Sequence, residues 1–241
     1  MNLFSIEGKV AVVTGGRRGL GRALVGTLLT AGAKVTVVAR SKNDKDLPPE
    51  VFYIQANLAR REEREGIIDQ VIERYGRIDI LVNNAAVIDY MPSQEYQAQL
   101  WDEVIATNLS AVFELSMQAA ARMSKGKIIQ LCSVASHSGA RNIVGYATTK
   151  HGLVGMIKCL SNELMPLGIN VNGIAPGIMA TEMHQEILSN PYRREEVEGR
   201  IPAGRLGVGA DLSGALLFLA SDASEYVSGT TILVDGGYHG R

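Results

Sequence analysis

Hydrophobic and polar positions change period repeatedly along the chain. Short runs of consecutive apolar, mostly β-branched residues alternate with longer stretches in which apolar positions recur every three or four residues. Runs of the first kind fit strands buried on both faces of a parallel sheet, and stretches of the second fit amphipathic helices packed against it. The pattern predicts strands at residues 9–14, 34–39, 51–55, 78–82, 127–131, 169–175 and 231–234. Helices are expected at 22–29, 62–75, about 96–123, 146–165 and 210–220, with a polar helical stretch from Thr181 to roughly Gly199 that Asn190-Pro191 interrupts. Strands alternating with helices of this length predict an α/β fold, a doubly wound parallel sheet with right-handed crossovers. In such sheets ligands bind beyond the carboxyl ends of the strands.

The first crossover carries the first chemical signal. Between the strand at 9–14 and the helix at 22–29 lies Gly15-Gly16-Arg17-Arg18-Gly19-Leu20-Gly21, with the spacing Gly15-x3-Gly19-x-Gly21 rather than GxGxxG. Glycines there let the backbone approach a pyrophosphate, and the helix N-terminus directs free N–H groups and a positive dipole end at it. The second strand ends in Ala39-Arg40-Ser41, without the acidic residue that would bind the adenosine ribose 2′-hydroxyl of NAD. Arg40, Ser41, Arg17 and Arg18 are suited to a 2′-phosphate through charge-assisted hydrogen bonds, so NADP is the expected cofactor and NAD the second choice. Asn57 and Leu58 follow the third strand in a position to flank adenine, and the fourth strand delivers Asn84 and Ala85 to the same edge.

A second signal is Tyr146-x3-Lys150 on a predicted helix. Four residues is just over one turn, so the ammonium and the phenol share a face, where a cation within ~4–6 Å favours the phenolate. Such a pair exchanges a proton with an alcohol or ketone. Ser133 sits at the carboxyl edge of the fifth strand, thirteen residues ahead of Tyr146, and returns beside it once the loop folds over. Asn108, a mediocre helix residue in mid-helix, reads as either a surface accident or a distortion kept for hydrogen bonding. The polar stretch from Thr181 is a candidate lid.

Composition narrows the function classes. The chain has 241 residues, 46% hydrophobic, with a net charge of −1 spread without runs, which argues for one domain over 1–241 and against nucleic acid. No basic and apolar leader and no apolar run of ~18 residues is present, so no membrane partner and a cytoplasmic setting are expected. Two cysteines and four unclustered histidines predict neither a disulfide framework nor a catalytic metal.

The motifs Thr14-Gly15-x3-Gly19-x-Gly21, Asn83-Asn84-Ala85, Asn108, Ser133, Tyr146-x3-Lys150 and Pro176-Gly177 stand in the order and spacing of the short-chain dehydrogenase/reductase family, which the chain resembles over essentially its full length. The resemblance implies a seven-stranded Rossmann sheet, a nicotinamide cofactor and the catalytic set Asn108, Ser133, Tyr146 and Lys150. It gives Lys150 the added role of holding the nicotinamide ribose, and it extends the cofactor site to Pro176, Gly177, Ile178 and Thr181. Ala86 departs from the glycine commoner in the Asn-Asn-Ala-Gly motif. The run from Ala175 to Thr181, with Arg200 to Gly207, looks like the branch of gluconate 5-dehydrogenases and 2-deoxy-D-gluconate 3-dehydrogenases, which implies a sugar-acid substrate. His137, Arg141, Asn142 and His184 are then candidates to meet its carboxylate and hydroxyls. The alternatives are a 3-oxoacyl-[acyl-carrier-protein] reductase and, more distantly, a non-catalytic NADP-binding sensor or scaffold. A homotetramer is common in the family and is expected here.

Overall fold

The structure is a computed structural model that describes residues 2–42, 46–88 and 90–240. Seven strands form one sheet: β1 (Val10–Thr14), β2 (Lys34–Ala39), β3 (Phe52–Gln55), β4 (Ile80–Asn83), β5 (Gly126–Leu131), β6 (Ile169–Pro176) and β7 (Thr231–Val234). Their order is β3-β2-β1-β4-β5-β6-β7 and every pairing is parallel. The sequence winds outward from β1 in one direction to β3 and in the other from β4 to β7. Crossovers therefore diverge at the β1/β4 boundary and open a crevice there.

Alternate residues of each strand feed the two sides of this sheet. Val10, Val12, Leu81 and Ile128 pack with α2 (Ile67–Tyr75), α4 (Ala111–Ala120) and α5 (Val144–Leu164). Ala11, Val13, Ile80, Val82 and Ile129 pack on the other side with α1 (Gly19–Thr30) and α8 (Ser213–Ala220). Burial on both faces is why these strands read as continuous apolar runs.

Several expected boundaries shift. The helix predicted from residue 62 begins as a 3-10 turn at Arg61–Glu63, and the α-helix proper starts only after Gly66, whose left-handed φ of 73° ends the turn. The long helix expected at 96–123 is three pieces: α3 (Ala98–Ile105), a π-turn at Ala106–Ser110 and α4. The lid stretch is α6 (Gln185–Ser189) and α7 (Pro191–Glu198). Asn190 is the N-cap of α7, accepting from the N–H groups of Tyr192 and Arg193 at 3.1 and 3.3 Å, with Pro191 at the first helical position. What reads as an interruption in the sequence is thus the start of a new helix. Among the described residues no helix is long and apolar enough to cross a membrane.

Candidate active site

The crevice at the carboxyl ends of β1 and β4 is closed by hydrogen bonds across the switch point. The Thr14 hydroxyl accepts from the backbone N–H of Asn84 and of Ala85, both at 3.0 Å, while the Asn84 amide donates to the carbonyls of Thr14 (2.9 Å) and Gly15 (3.2 Å). A β-carbon on Gly21 would lie 2.2 Å from the Gly15 carbonyl oxygen, and one on Gly15 would lie 2.9 Å from the Ala85 Cα. Glycine is required at both places by backbone proximity, and Gly15 adds a φ of 66°. Gly19, by contrast, faces open space, and no side chain caps the N-terminus of α1. The result is a bare helix N-terminus over a tight glycine turn, a geometry that accepts a pyrophosphate. Leu20 packs into the core beneath it.

The residues assigned to a 2′-phosphate divide into two groups. Arg17 donates to the Ser41 hydroxyl at 2.8 Å and lies 3.8 Å from Asp46, and Arg40 lies 3.7 Å from Glu103. These three surround the end of β2. Arg18 leaves that cluster and pairs at 3.1 Å with Glu182 at the base of the lid. Beyond β3, Asn57 builds its own turn, its side-chain oxygen accepting from the Ala59 N–H at 3.1 Å. The Leu58 side chain is buried in the core, so only its backbone can flank a ligand. On the far side, Gly177 is packed so closely on Asp235 that a β-carbon would come within 2.7 Å of its Cα, and Pro176, Gly177 and Ile178 lead from β6 toward Thr181.

The four catalytic candidates converge on one spot. Asn108 is a local distortion, not a surface accident: the π-turn swings it inward, 1% exposed, where it accepts from the Val87 N–H (2.9 Å) and donates to the Val87 carbonyl (2.8 Å) and the Thr149 hydroxyl (3.3 Å). Arg64, which the sequence reading missed, is buried beside this turn and donates to the carbonyls of Ala106 and Leu58. Ser133 caps a 3-10 turn at Val134–Ser136, and its hydroxyl hydrogen-bonds the Tyr146 phenol. Ala135, Ile143 and Tyr146 form an apolar wall with Ala86 and Ile88.

One electrostatic expectation is overturned. The Tyr146 phenol is not lowered: burial pushes it up to about 12, and the Ser133 hydrogen bond only offsets part of this. Lys150 is pushed down to about 8, again by burial. Its ammonium lies 5.4 Å from the Tyr146 ring centroid, over the face of the ring, and donates to the Leu131 carbonyl. The i, i+4 spacing does bring the two together, but desolvation sets the direction of both shifts.

The substrate candidates are less convergent. His137 is exposed and lies against His239 of the C-terminal turn, ring centroids 5.4 Å apart and the planes tilted by 48°. Arg141 is exposed, and Asn142 holds a left-handed turn with φ of 64° whose carbonyl accepts from the Met91 N–H at 2.9 Å. Asn142 is thus a turn residue that ties two walls of the site together. His184, at the lid, is fixed by a 2.9 Å hydrogen bond from Nδ1 to the Met179 carbonyl, and burial holds its pKa below the usual histidine value.

This arrangement matches known proteins. A family model described as enoyl-(acyl carrier protein) reductase matches residues 15–239. The chain is 41% identical to the uncharacterized oxidoreductase YgcW of Escherichia coli, over 99% of this chain and 95% of that protein. The chain is a short-chain dehydrogenase/reductase. Within that family it is 38% identical to the 2-dehydro-3-deoxy-D-gluconate 5-dehydrogenase of Escherichia coli, over 100% of this chain and 99% of the relative. It is 36% identical to the 3-oxoacyl-[acyl-carrier-protein] reductase FabG of Salmonella typhimurium, over 98% and 99%. The gluconate 5-dehydrogenase of Burkholderia cenocepacia, solved in complex with NADP and tartrate, superposes with a TM-score of 0.93 at 32% identity, covering 100% of this chain and 98% of that one.

Proposed function

We propose that this short-chain dehydrogenase/reductase is an NADP-preferring enzyme that interconverts a secondary alcohol and a ketone on a sugar acid. The observation that carries the reaction type is the group of half-buried Ser133 with buried Tyr146 and Lys150 at the carboxyl edge of β5, beside the glycine cradle. Its full-length similarity to a 2-dehydro-3-deoxy-D-gluconate 5-dehydrogenase supports the substrate class. For NADP the support is the Arg17–Ser41–Arg40 cluster where NAD would want a carboxylate.

A nicotinamide cofactor held in the cradle supplies the hydride. Ser133 hydrogen-bonds the substrate oxygen. Tyr146, fully protonated at neutral pH because its pKa is about 12, donates the proton in the direction of ketone reduction. Lys150 stabilises the phenolate left behind and is placed to hold the ribose. Asn108 fixes the backbone at Val87, under the nicotinamide side of the pocket. A sensor or scaffold would have no need of a buried acid so arranged. A single domain over 1–241 and a cytoplasmic homotetramer complete the reading. Exposed Phe113 on α4 and Leu233 on β7 are consistent with faces that associate.

The test is turnover followed by nicotinamide absorbance, with gluconate, 5-ketogluconate, 2-deoxygluconate, 2-dehydro-3-deoxygluconate and an acetoacetyl thioester, each with NAD(H) and NADP(H). Turnover of a sugar acid, faster with the phosphorylated cofactor, is expected. Turnover of the thioester alone would replace this reading with acyl-carrier-protein reduction.

A further inference from the structure

Tyr90 is used by no step above, and its position is fixed from both sides. Two residues earlier, Ile88 packs in the apolar wall that includes Tyr146. One residue later, the Met91 N–H is bonded to the Asn142 carbonyl, just ahead of α5. Tyr90 is therefore held close to the wall that includes the catalytic tyrosine. Tyr90 is not drawn into the wall: it stays 60% exposed at the mouth. Its phenol lies within electrostatic reach of the Tyr146 phenol below it and of the Glu186 carboxylate on the lid helix α6. Glu186 is itself ion-paired with Arg193 on α7. A solvent-facing tyrosine so placed offers a hydroxyl, not an apolar surface, to whatever enters between lid and floor. Burial and the Glu186 charge hold that hydroxyl above the ordinary tyrosine pKa, so it is a donor at any working pH.

We propose that Tyr90 is a substrate-reading residue whose hydroxyl hydrogen-bonds an oxygen on the substrate chain beyond the reacting carbon, selecting polyhydroxylated substrates over acyl chains. The inference rests on the sugar-acid reading above. An acyl chain has no group to pair with this hydroxyl and leaves it to water. A hydroxylated chain satisfies it, and it also places its own hydroxyl donors where the Glu186 carboxylate accepts them.

Tyr90→Phe tests this, because it removes one oxygen and keeps the ring. The expected result is a fall of about tenfold in kcat/KM for the sugar acid that the wild-type enzyme turns over, carried mainly by KM. The NADPH dissociation constant, the melting temperature and kcat/KM for a small ketone without distal hydroxyls stay within twofold. Glu186→Gln shifts the sugar-acid KM in the same direction by less. An unchanged sugar-acid kcat/KM in Tyr90→Phe, or an equal loss on the small ketone, would overturn the inference while leaving the proposed function standing. A wild-type enzyme inactive on every sugar acid would remove the proposed function, and this inference with it.

Discussion

The floor and the rim of the site use the same kinds of polar side chain and hold them in opposite ways. On the floor, Asn108, Tyr146 and Lys150 are 1%, 9% and 3% exposed, and the Asn108 and Lys150 side chains bond to backbone carbonyls of the loop after β4 and of the end of β5. At the rim, Arg18 and Glu182 pair at 3.1 Å with side chains 73% and 71% exposed, and Arg193–Glu186, Arg194–Glu198 and Arg200–Glu196 lace the lid in the same solvated fashion. A buried polar group that loses its partner costs about 1–3 kcal/mol, whereas an exposed ion pair contributes roughly 0–1 kcal/mol. The floor therefore has one arrangement, and the rim can exchange partners when an anionic ligand arrives. Preorganisation belongs to the proton-transfer group, and adaptability to the residues that meet phosphate and substrate.

The sharpest break of this contrast is at the floor. Tyr146→Phe deletes the phenol oxygen assigned to deliver the proton and leaves the ring that fills the wall with Ala135 and Ile143. Turnover should fall by about a thousandfold, within the range of general-acid contributions, while fluorescence titration shows NADPH binding little changed. Turnover within tenfold of wild type would remove Tyr146 from the proton-transfer role.

A smaller effect is expected at the cofactor end of the rim. Arg40 pairs only loosely with Glu103, at 3.7 Å, so a 2′-phosphate can take it over at little cost. Arg40→Ala should raise the KM for NADPH by about tenfold and that for NADH by less than twofold, since one charge-assisted hydrogen bond is lost to the phosphorylated cofactor alone. Equal losses on both cofactors would show that Arg40 does not read the 2′-phosphate.

What could be read from sequence follows the same division. The sheet was legible because its inner strands are buried on both faces, so composition alone marks them. Tyr146 and Lys150 were legible because helical geometry turns a spacing into a distance. The glycine loop was legible because Gly15 and Gly21 are held by backbone contacts that no other residue fits. Asn108 was ambiguous because a π-turn of 5 residues leaves no period of its own inside a longer helical pattern. For Leu58 the position was legible but not the facing, because a place after a strand does not say whether a side chain points to ligand or to core. Arg64 and Asp235, which fix the loops around the site, are ordinary polar residues in sequence and acquire their roles through contacts with Ala106 and Gly177, far off in the chain. The direction of the Tyr146 shift was out of reach for a related reason: spacing reports the attraction between Lys150 and Tyr146, but the burial that sets the direction of both shifts is a property of the folded whole.

That burial makes a last, smaller prediction. Lys150 falls from its ordinary 10.5 to about 8 in the folded protein, so between these values the unfolded chain binds more protons than the native state. Stability contributed through Lys150 therefore rises with pH across roughly 8 to 10.5, by ~1 kcal/mol between pH 8 and pH 9. Tyr146 acts in the opposite sense, since its pKa rises from 10.0 to about 12: its contribution is complete below pH 10 and is lost as pH climbs toward 12. Comparing urea unfolding of the cofactor-free wild type with Lys150→Met separates the two, because Tyr146 is present in both proteins and largely cancels. Wild type should gain on the variant through pH 8 to 10 and be level with its own offset below pH 7. A difference that stays flat across that window would mean that Lys150 is solvated as an ordinary surface lysine, and the rigid floor would then have to be rebuilt around a hydrated amine.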